Sequence, residues 1–226
     1  MKQIDSISFP KTKARLICAS SLALLLALVC LSIFAGCSQQ NATDSQGSGD
    51  SSAGLTKSAD YANSVTVGKV SLAYPDGYSV AKEYGAGQYA GNFPDGVSDT
   101  ASKILLNESG SVMLTVVDAD DASKVGLEGL ASWIEATPER LQAMKETQPE
   151  MYESLKNVER ETPEKTTVNG ANALRAVTKT SNTTAVTYYL EKDGAIAGYV
   201  SVTLPSSEYK SNAAEYESVV ATVTVG

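Results

Sequence analysis

Residues 184–205 read TAVTYYLEKDGAIAGYVSVTLP. Two stretches alternate in polarity on either side of Asp193-Gly194, a pair suited to the positive φ angles of a tight primed turn. Pro205 cannot donate to a strand ladder and stops the second stretch. This is the strongest local signal in the chain, and it commits the C-terminal third to a long antiparallel hairpin.

The neighbouring segments extend the pattern. VTVGKVSLAY, 65–74, alternates with Val65, Val67, Lys69, Ser71 and Ala73 on one face and Val70, Leu72 and Tyr74 on the other. Pro75 and Asp76-Gly77 then make a turn, and FPDGV at 93–97 repeats the turn chemistry. YGAGQYAGN, 84–92, is rich in Gly and Tyr and reads as an irregular loop. A hairpin is predicted from Ser102–Asn107 and Ser111–Val117, turning at Glu108-Ser109-Gly110. Helical spacing follows at Leu127, Leu130, Trp133 and Ile134. Thr137-Pro138-Glu139 starts a new helical stretch with Pro at its first position. The stripe of Leu141, Met144, Met151, Tyr152 and Leu155 is interrupted by Pro149, so a kink or two short helices are expected. TVNGANALRAVTKT returns to alternation, with Leu174 and Ala176 opposite Arg175 and Val177. A last helix is predicted with Ser206 or Ser207 as cap and Tyr209, Ala213, Tyr216, Val219 and Val220 as its apolar stripe. Strands, helices, strands and a helix in that order argue for one α+β domain over 65–226, with a mainly antiparallel sheet and flanking helices.

The first 64 residues are of another kind. Lys2, Lys11, Lys13 and Arg15 precede an apolar run, Leu16 to Phe34, and only Asp5 opposes them. A basic stretch, an apolar stretch and small residues make a secretory signal over 1–36. The run is also long enough to cross a bilayer, so an uncleaved anchor is the competing reading. Phe34-Ala35-Gly36-Cys37 is similar to the lipobox of bacterial lipoproteins, with Phe34 where Leu is usual. The similarity implies cleavage between Gly36 and Cys37, a diacylglyceryl thioether on the Cys37 sulfur, and acylation of the freed amine. Two or three such chains hold a protein firmly, since each buried CH₂ contributes about 0.8 kcal/mol. The tract SQQNATDSQGSGDSSAGLTKSADYANS that follows Cys37 is too polar to offset its ordering entropy. Residues 37–64 are therefore expected to be a lipidated flexible tether with a reach of roughly 30 Å. An extracytoplasmic, lipid-anchored location at the cell membrane follows. The sequons at Asn41, Asn107 and Asn182 are taken as chance matches.

Composition excludes several chemistries. The chain has no histidine, and its three cysteines are Cys18, Cys30 and Cys37, so the domain holds neither imidazole nor thiol. Histidine-based triads, thiolate catalysis and common zinc sites are thereby ruled out. No G-x-S-x-G, P-loop or G-x-G-x-x-G occurs, and GAG at 85–87 completes no dinucleotide fingerprint. The first 36 residues hold four basic residues and one acidic residue, leaving 14 basic against 25 acidic beyond them, net −11. So acidic a remainder argues against nucleic acid. Asp118, Asp120 and Asp121 form an acidic cluster, but an EF-hand counted from Asp118 would need Gly and Glu where Ser123 and Gly129 stand. A solvated loop is expected there, and solvated helix positions for Glu128, Glu135 and Glu139. No catalytic residue, metal or cofactor is assigned. Eleven tyrosines against three phenylalanines is a skewed ratio. Tyr84 and Tyr89 in the Gly-rich loop, and Tyr188, Tyr189 and Tyr199 on the long hairpin, are candidate recognition aromatics; the alternative is half-buried rings with wet hydroxyls.

Four features together resemble the PsbP-like fold family: VSLAYPDGYSV, the mid-chain helical insert, VNGANALRAV before the Asp-Gly hairpin, and the final helix. Gly170 and Tyr74-Pro75 are the closest matches, and the resemblance covers 65–226. It implies a curved antiparallel sheet with flanking helices and a role as an adaptor or accessory surface. The fold includes many small bacterial lipoproteins without known activity, and its photosynthetic members help to organise a membrane-bound complex. It brings no functional residue with it. The expected function is a non-catalytic module that binds a protein, glycan or lipid. A small hydrolase using Ser or paired carboxylates is the alternative, as is a lipid carrier with a large apolar pocket. A single domain of this size lacks the two closing lobes of a solute receptor.

Overall fold

The computed structural model describes residues 54–226. The predicted signal over 1–36, the predicted cleavage site at Gly36-Cys37 and the predicted tether up to residue 53 lie outside the described residues.

The element order is β1 Asn63–Val67, β2 Val70–Tyr74, β3 Tyr78–Gly85, β4 Val97–Asn107, β5 Met113–Asp121, α1 Gly126–Glu135, α2 Thr137–Thr147, α3 Pro149–Leu155, β6 Glu159–Arg160, β7 Glu164–Val168, β8 Ala171–Lys179, β9 Thr183–Lys192, β10 Ala195–Pro205, α4 Ser206–Val220 and β11 Thr224–Val225. Seven strands form an open sheet in the order β3-β4-β5-β10-β9-β8-β6, and β7 also pairs with β8. β1, β2 and β11 form a second, three-stranded sheet. All these pairings are antiparallel. The chain is thus an α+β protein with an antiparallel sheet, as its element order predicts.

The Asp193-Gly194 turn forms as expected, with φ of +52° and +74° and the register Ala195↔Lys192. β10 is buried from Ile196 to Leu204, on both faces, because layers cover both sides of the sheet. On one side the β1–β2 hairpin and α4 pack Val70, Leu72, Val219 and Val220 against Leu114, Val116 and Val200. On the other lie α1 and the loop between β3 and β4.

Several expectations give way. The 65–74 stretch is two strands joined by Gly68-Lys69, and Val65, Val67, Val70 and Leu72 all bury on one side. A two-residue turn inverts the phase of the alternation, so the two apolar sets share a face once the chain folds back. Likewise 164–179 is a hairpin around Asn169-Gly170, with φ of +48° and +83°. The tether ends sooner than residue 64. Leu55 forms a parallel bridge with Val168, and Tyr61 packs on the core with its hydroxyl 2.8 Å from Ser218 Oγ. Neither Ser206 nor Ser207 caps α4: Pro205 precedes it, and Ser206 Oγ lies 3.2 Å from Thr184 Oγ1.

Pro149 does separate two helices, α2 and α3, and neither contains a buried residue. α2 packs on α1 and α3 packs on α2, with Arg140 at the α1 contact. The guanidinium lies 4.0 Å from the centroid of the Trp133 ring, donates to the Trp133 carbonyl and donates to Thr137 Oγ1 at 2.8 Å. One cation–π contact and two hydrogen bonds are together worth about 2 kcal/mol. Arg140→Ala is therefore expected to speed amide exchange over Thr137–Leu155 by at least tenfold and leave β10 protection unchanged. Equal acceleration in β10 would show that this arm is no separate unit.

Candidate functional site

The tyrosines singled out from the sequence are mostly interior. Tyr89, Tyr188, Tyr189 and Tyr199 are buried, and Tyr84 is half-buried at the end of β3. Their rings are not free surface, because layers on both sides of the sheet cover both faces of the hairpin. Tyr188 points to the α4 side, beside its register partner Arg175, whose guanidinium donates to Tyr209 Oη at 2.8 Å. Burial pushes the Tyr188 phenol up to about 12, Glu217 and Tyr209 add to this, and Arg175 opposes it.

Tyr189 and Tyr199 point the other way, as neighbours and cross-strand partners must. There the loop 86–96 folds back over them. Tyr199 meets Tyr89, Phe93 and Tyr189 with ring centroids 6.0, 5.6 and 5.3 Å apart, and Phe93 meets Tyr189 at 6.0 Å. The loop is tied down by polar contacts as well. Asn92 Nδ2 donates to Tyr199 Oη at 2.9 Å, and Tyr189 Oη donates to the Asn92 carbonyl at 3.3 Å. The Tyr89 amide donates to Asp99 Oδ2 at 2.9 Å. Burial pushes the Tyr89 phenol up to about 12, with Tyr84 and Asp99 adding to the effect of burial and Thr115 opposing it. Tyr199 is raised further by burial, then by Tyr189 and Tyr89, with Asp99 contributing.

Asp99 and Ser102 carry no sequence signal of their own, since they sit among alternating residues of a strand. Both are 1% exposed, and in each one side-chain oxygen, Asp99 Oδ1 and Ser102 Oγ, lacks a hydrogen-bond partner.

The acidic cluster is not a solvated loop. Asp118 and Asp121 are buried at the end of β5, while Asp120 is exposed. Asp118 receives the Lys69 amide at 2.8 Å and the Thr100 hydroxyl, seating the Gly68-Lys69 turn on the main sheet. Asp121 receives Ser123 Oγ and the amides of Val125, Gly126 and Ile196. Both carboxylates are thus engaged in holding segments together. Among the described residues, no group of three or more acids is placed to hold a metal ion. A polar cleft of about 290 Å³ opens beside this end of the sheet, lined by Lys69, Asp120, Lys192 and Asp193. Both charge signs line it, so it presents no single-sign field to a ligand.

Between the sheet and α4 lies a cavity of about 20 Å³, lined by Val186, Tyr188, Val202 and Tyr216 among others. That is the space of a water molecule and not of an acyl chain, so this interface is a closed core.

These features define an α+β protein whose antiparallel sheet is covered on both faces. No family profile matches the chain, and no curated protein matches it. Among solved structures it is similar to the solution structure of cyanobacterial PsbP (CyanoP) from Synechocystis sp. PCC 6803, at 11% identity and a TM-score of 0.46, over 81% of this chain and 98% of that one.

Proposed function

We propose that the protein is a lipid-anchored extracytoplasmic module that acts by binding and has no catalytic chemistry of its own. The observation that carries this reading is the border Phe34-Ala35-Gly36-Cys37, where an apolar run preceded by basic residues meets a cysteine and then a Ser/Gly-rich tract. The Cys37 sulfur gives up its proton and displaces the phosphorylated headgroup of a phospholipid, forming a thioether to the diacylglyceryl group, and hydrolysis of the Gly36–Cys37 peptide bond frees the Cys37 amine. The polar tract then separates the folded domain from the bilayer. The absence of His and Cys from residues 54–226 supports a binding role over hydrolysis by a histidine base or a thiolate nucleophile. Asp118 and Asp121 accept backbone amides, which suits scaffolding more than proton transfer. The closed sheet–α4 interface favours a protein ligand over a resident lipid.

Metabolic labelling with an alkyne fatty acid tests the anchor. The wild-type chain is expected to carry the label and the Cys37→Ala variant to carry none. An unlabelled wild type, or full labelling of the variant, ends this reading.

A further inference from the structure

Asp99 is the least exposed acid among the described residues, and it accepts a single hydrogen bond. Asp121, by comparison, accepts four. None of the ion pairs of the described residues involves Asp99. A buried carboxylate so poorly paired is costly, and a bound cation is one of the few things that would offset that cost.

Its surroundings narrow what that is. A bulge at Thr100 gives the register Asp99↔Ala119 and Ser102↔Val117, so Asp99 and Ser102 are successive residues on one face, about 7 Å apart. The unpartnered Ser102 hydroxyl therefore lies on the same face of the sheet as the unpartnered Asp99 Oδ1. Val117 is also the register partner of Tyr199, which brings that ring into the same row. Tyr89 and Phe93 lie over it from the loop. The loop is bounded by Gly85 and Gly87 on one side and Gly96 on the other, with φ of +87° at Gly87 and +92° at Gly96. Open space surrounds Gly85, Gly87 and Gly91. Tyr189 and Tyr199 are fixed on paired strands, whereas Tyr89 and Phe93 travel with the loop. A lift of the loop would break the Tyr89–Asp99 hydrogen bond and those of Asn92, part the two pairs of rings and open a slot towards Asp99 Oδ1 and Ser102 Oγ.

We propose that this slot between the 86–96 loop and the sheet takes the side chain of a lysine from a partner protein. The ammonium head donates to Asp99 Oδ1 and Ser102 Oγ, and its methylene stem lies between the rings of Tyr89, Phe93 and Tyr199. A compact ammonium with three donors suits two oxygens on separate residues, whereas the planar fork of arginine suits the paired oxygens of one carboxylate. The proposal deepens the binding-module reading, and the anchor plays no part in its test.

The test is a titration of the full-length, isotope-labelled chain in detergent micelles with Nα-acetyl-lysine methylamide. The amide resonances of Tyr89, Asp99 and Ser102 are expected to shift and saturate. The Nε-acetylated probe and sodium chloride are expected to act at least tenfold more weakly, and Asp99→Asn to weaken binding at least tenfold. Ser102→Ala guards against misfolding, since its hydroxyl has no partner to lose, and it is expected to weaken binding about threefold. Four results overturn the proposal: no saturable shift, an equal response to sodium or to the Nε-acetylated probe, an unchanged affinity in both variants, or methylammonium binding as tightly as the lysine probe. The last assigns the slot to small free amines. All four leave the fatty-acid labelling result as it stands, so failure here is distinguishable from failure of the anchored-module reading.

Discussion

Asp121→Ala is expected to lower the stability of the domain by about 3–5 kcal/mol, read as a lower urea midpoint at unchanged slope. Asp121 is 5% exposed and ties three segments at one carboxylate. Oδ1 accepts from Ser123 Oγ and the Val125 amide, both at 3.0 Å, and Oδ2 from the amides of Gly126 and Ile196, both at 3.1 Å. These donors come from the β5–α1 loop, the first turn of α1 and the start of β10. Glu191 completes the arrangement by accepting the Leu127 amide at 3.3 Å. The acids thus serve the helix start that no side chain of the helix caps, where the backbone dipole favours negative charge. Removing Asp121 leaves three backbone amides without their acceptor.

The same group sets a pH dependence. Burial alone raises the Asp121 carboxyl, but the hydrogen bonds from Gly126, Val125, Ile196 and Ser123 outweigh it and hold the group below the usual carboxylate range. A depressed folded value means that the stabilisation is present above the unfolded value of about 3.9 and is lost as pH falls through the folded one. Acid titration of the unfolding free energy is expected to show that loss in the wild type and a shallower slope below about pH 4 in Asp121→Asn. An identical acid slope in the two proteins would remove Asp121 from the explanation. A loss of unfolding free energy under about 0.5 kcal/mol in the Ala variant would do the same for its structural role.

Gly198→Ala is expected to be at least as damaging, about 3 kcal/mol or more, or roughly 10 °C in Tm for a domain of this size. Gly198 has φ of +150°, in a region that side chains avoid, and follows the bulge that shifts the β10–β9 register between Ile196 and Gly198. A Cβ there would lie far inside contact distance of the Val117 carbonyl oxygen and 2.9 Å from Val70 Cγ2. Neither can give way, since β5 and β2 are both packed against β10 in the core. Gly85→Ala is the matched control: nothing lies within 4 Å of its Cβ position, and its effect is expected to stay within about 0.5 kcal/mol. Similar melting temperatures for the two variants would refute the close approach at Gly198.

The turns show how far local pattern carries. Asp193-Gly194 is legible because long alternating strands flank it on both sides. Asn169-Gly170 is chemically the same signal, yet the flanking alternation reads through it as one strand. At Gly68-Lys69 the signature is the switch from Val65 and Val67 to Val70 and Leu72, a change of phase that a folded-back pair makes necessary. Pro149 divides α2 from α3 because a missing amide acts locally.

The site is a different matter. Alternation states that Tyr188 and Tyr189 oppose each other but not what covers either side, so their burial waits on α4 and on the 86–96 loop. Asp99 becomes a hidden carboxylate only because that loop, adjacent in sequence, folds back over its strand. Asp118 and Asp121 change from solvated acids into anchors because the Gly68-Lys69 turn and β10, some 50 and 75 residues away, supply their donors. The sequence by itself determined the α+β class, several of the turns and helix breaks, and a domain without imidazole or thiol, since each depends on short-range chemistry or on composition. Tertiary structure alone decided which faces are covered and which polar atoms are left unpartnered, because burial depends on how segments, near or distant along the chain, fold over one another.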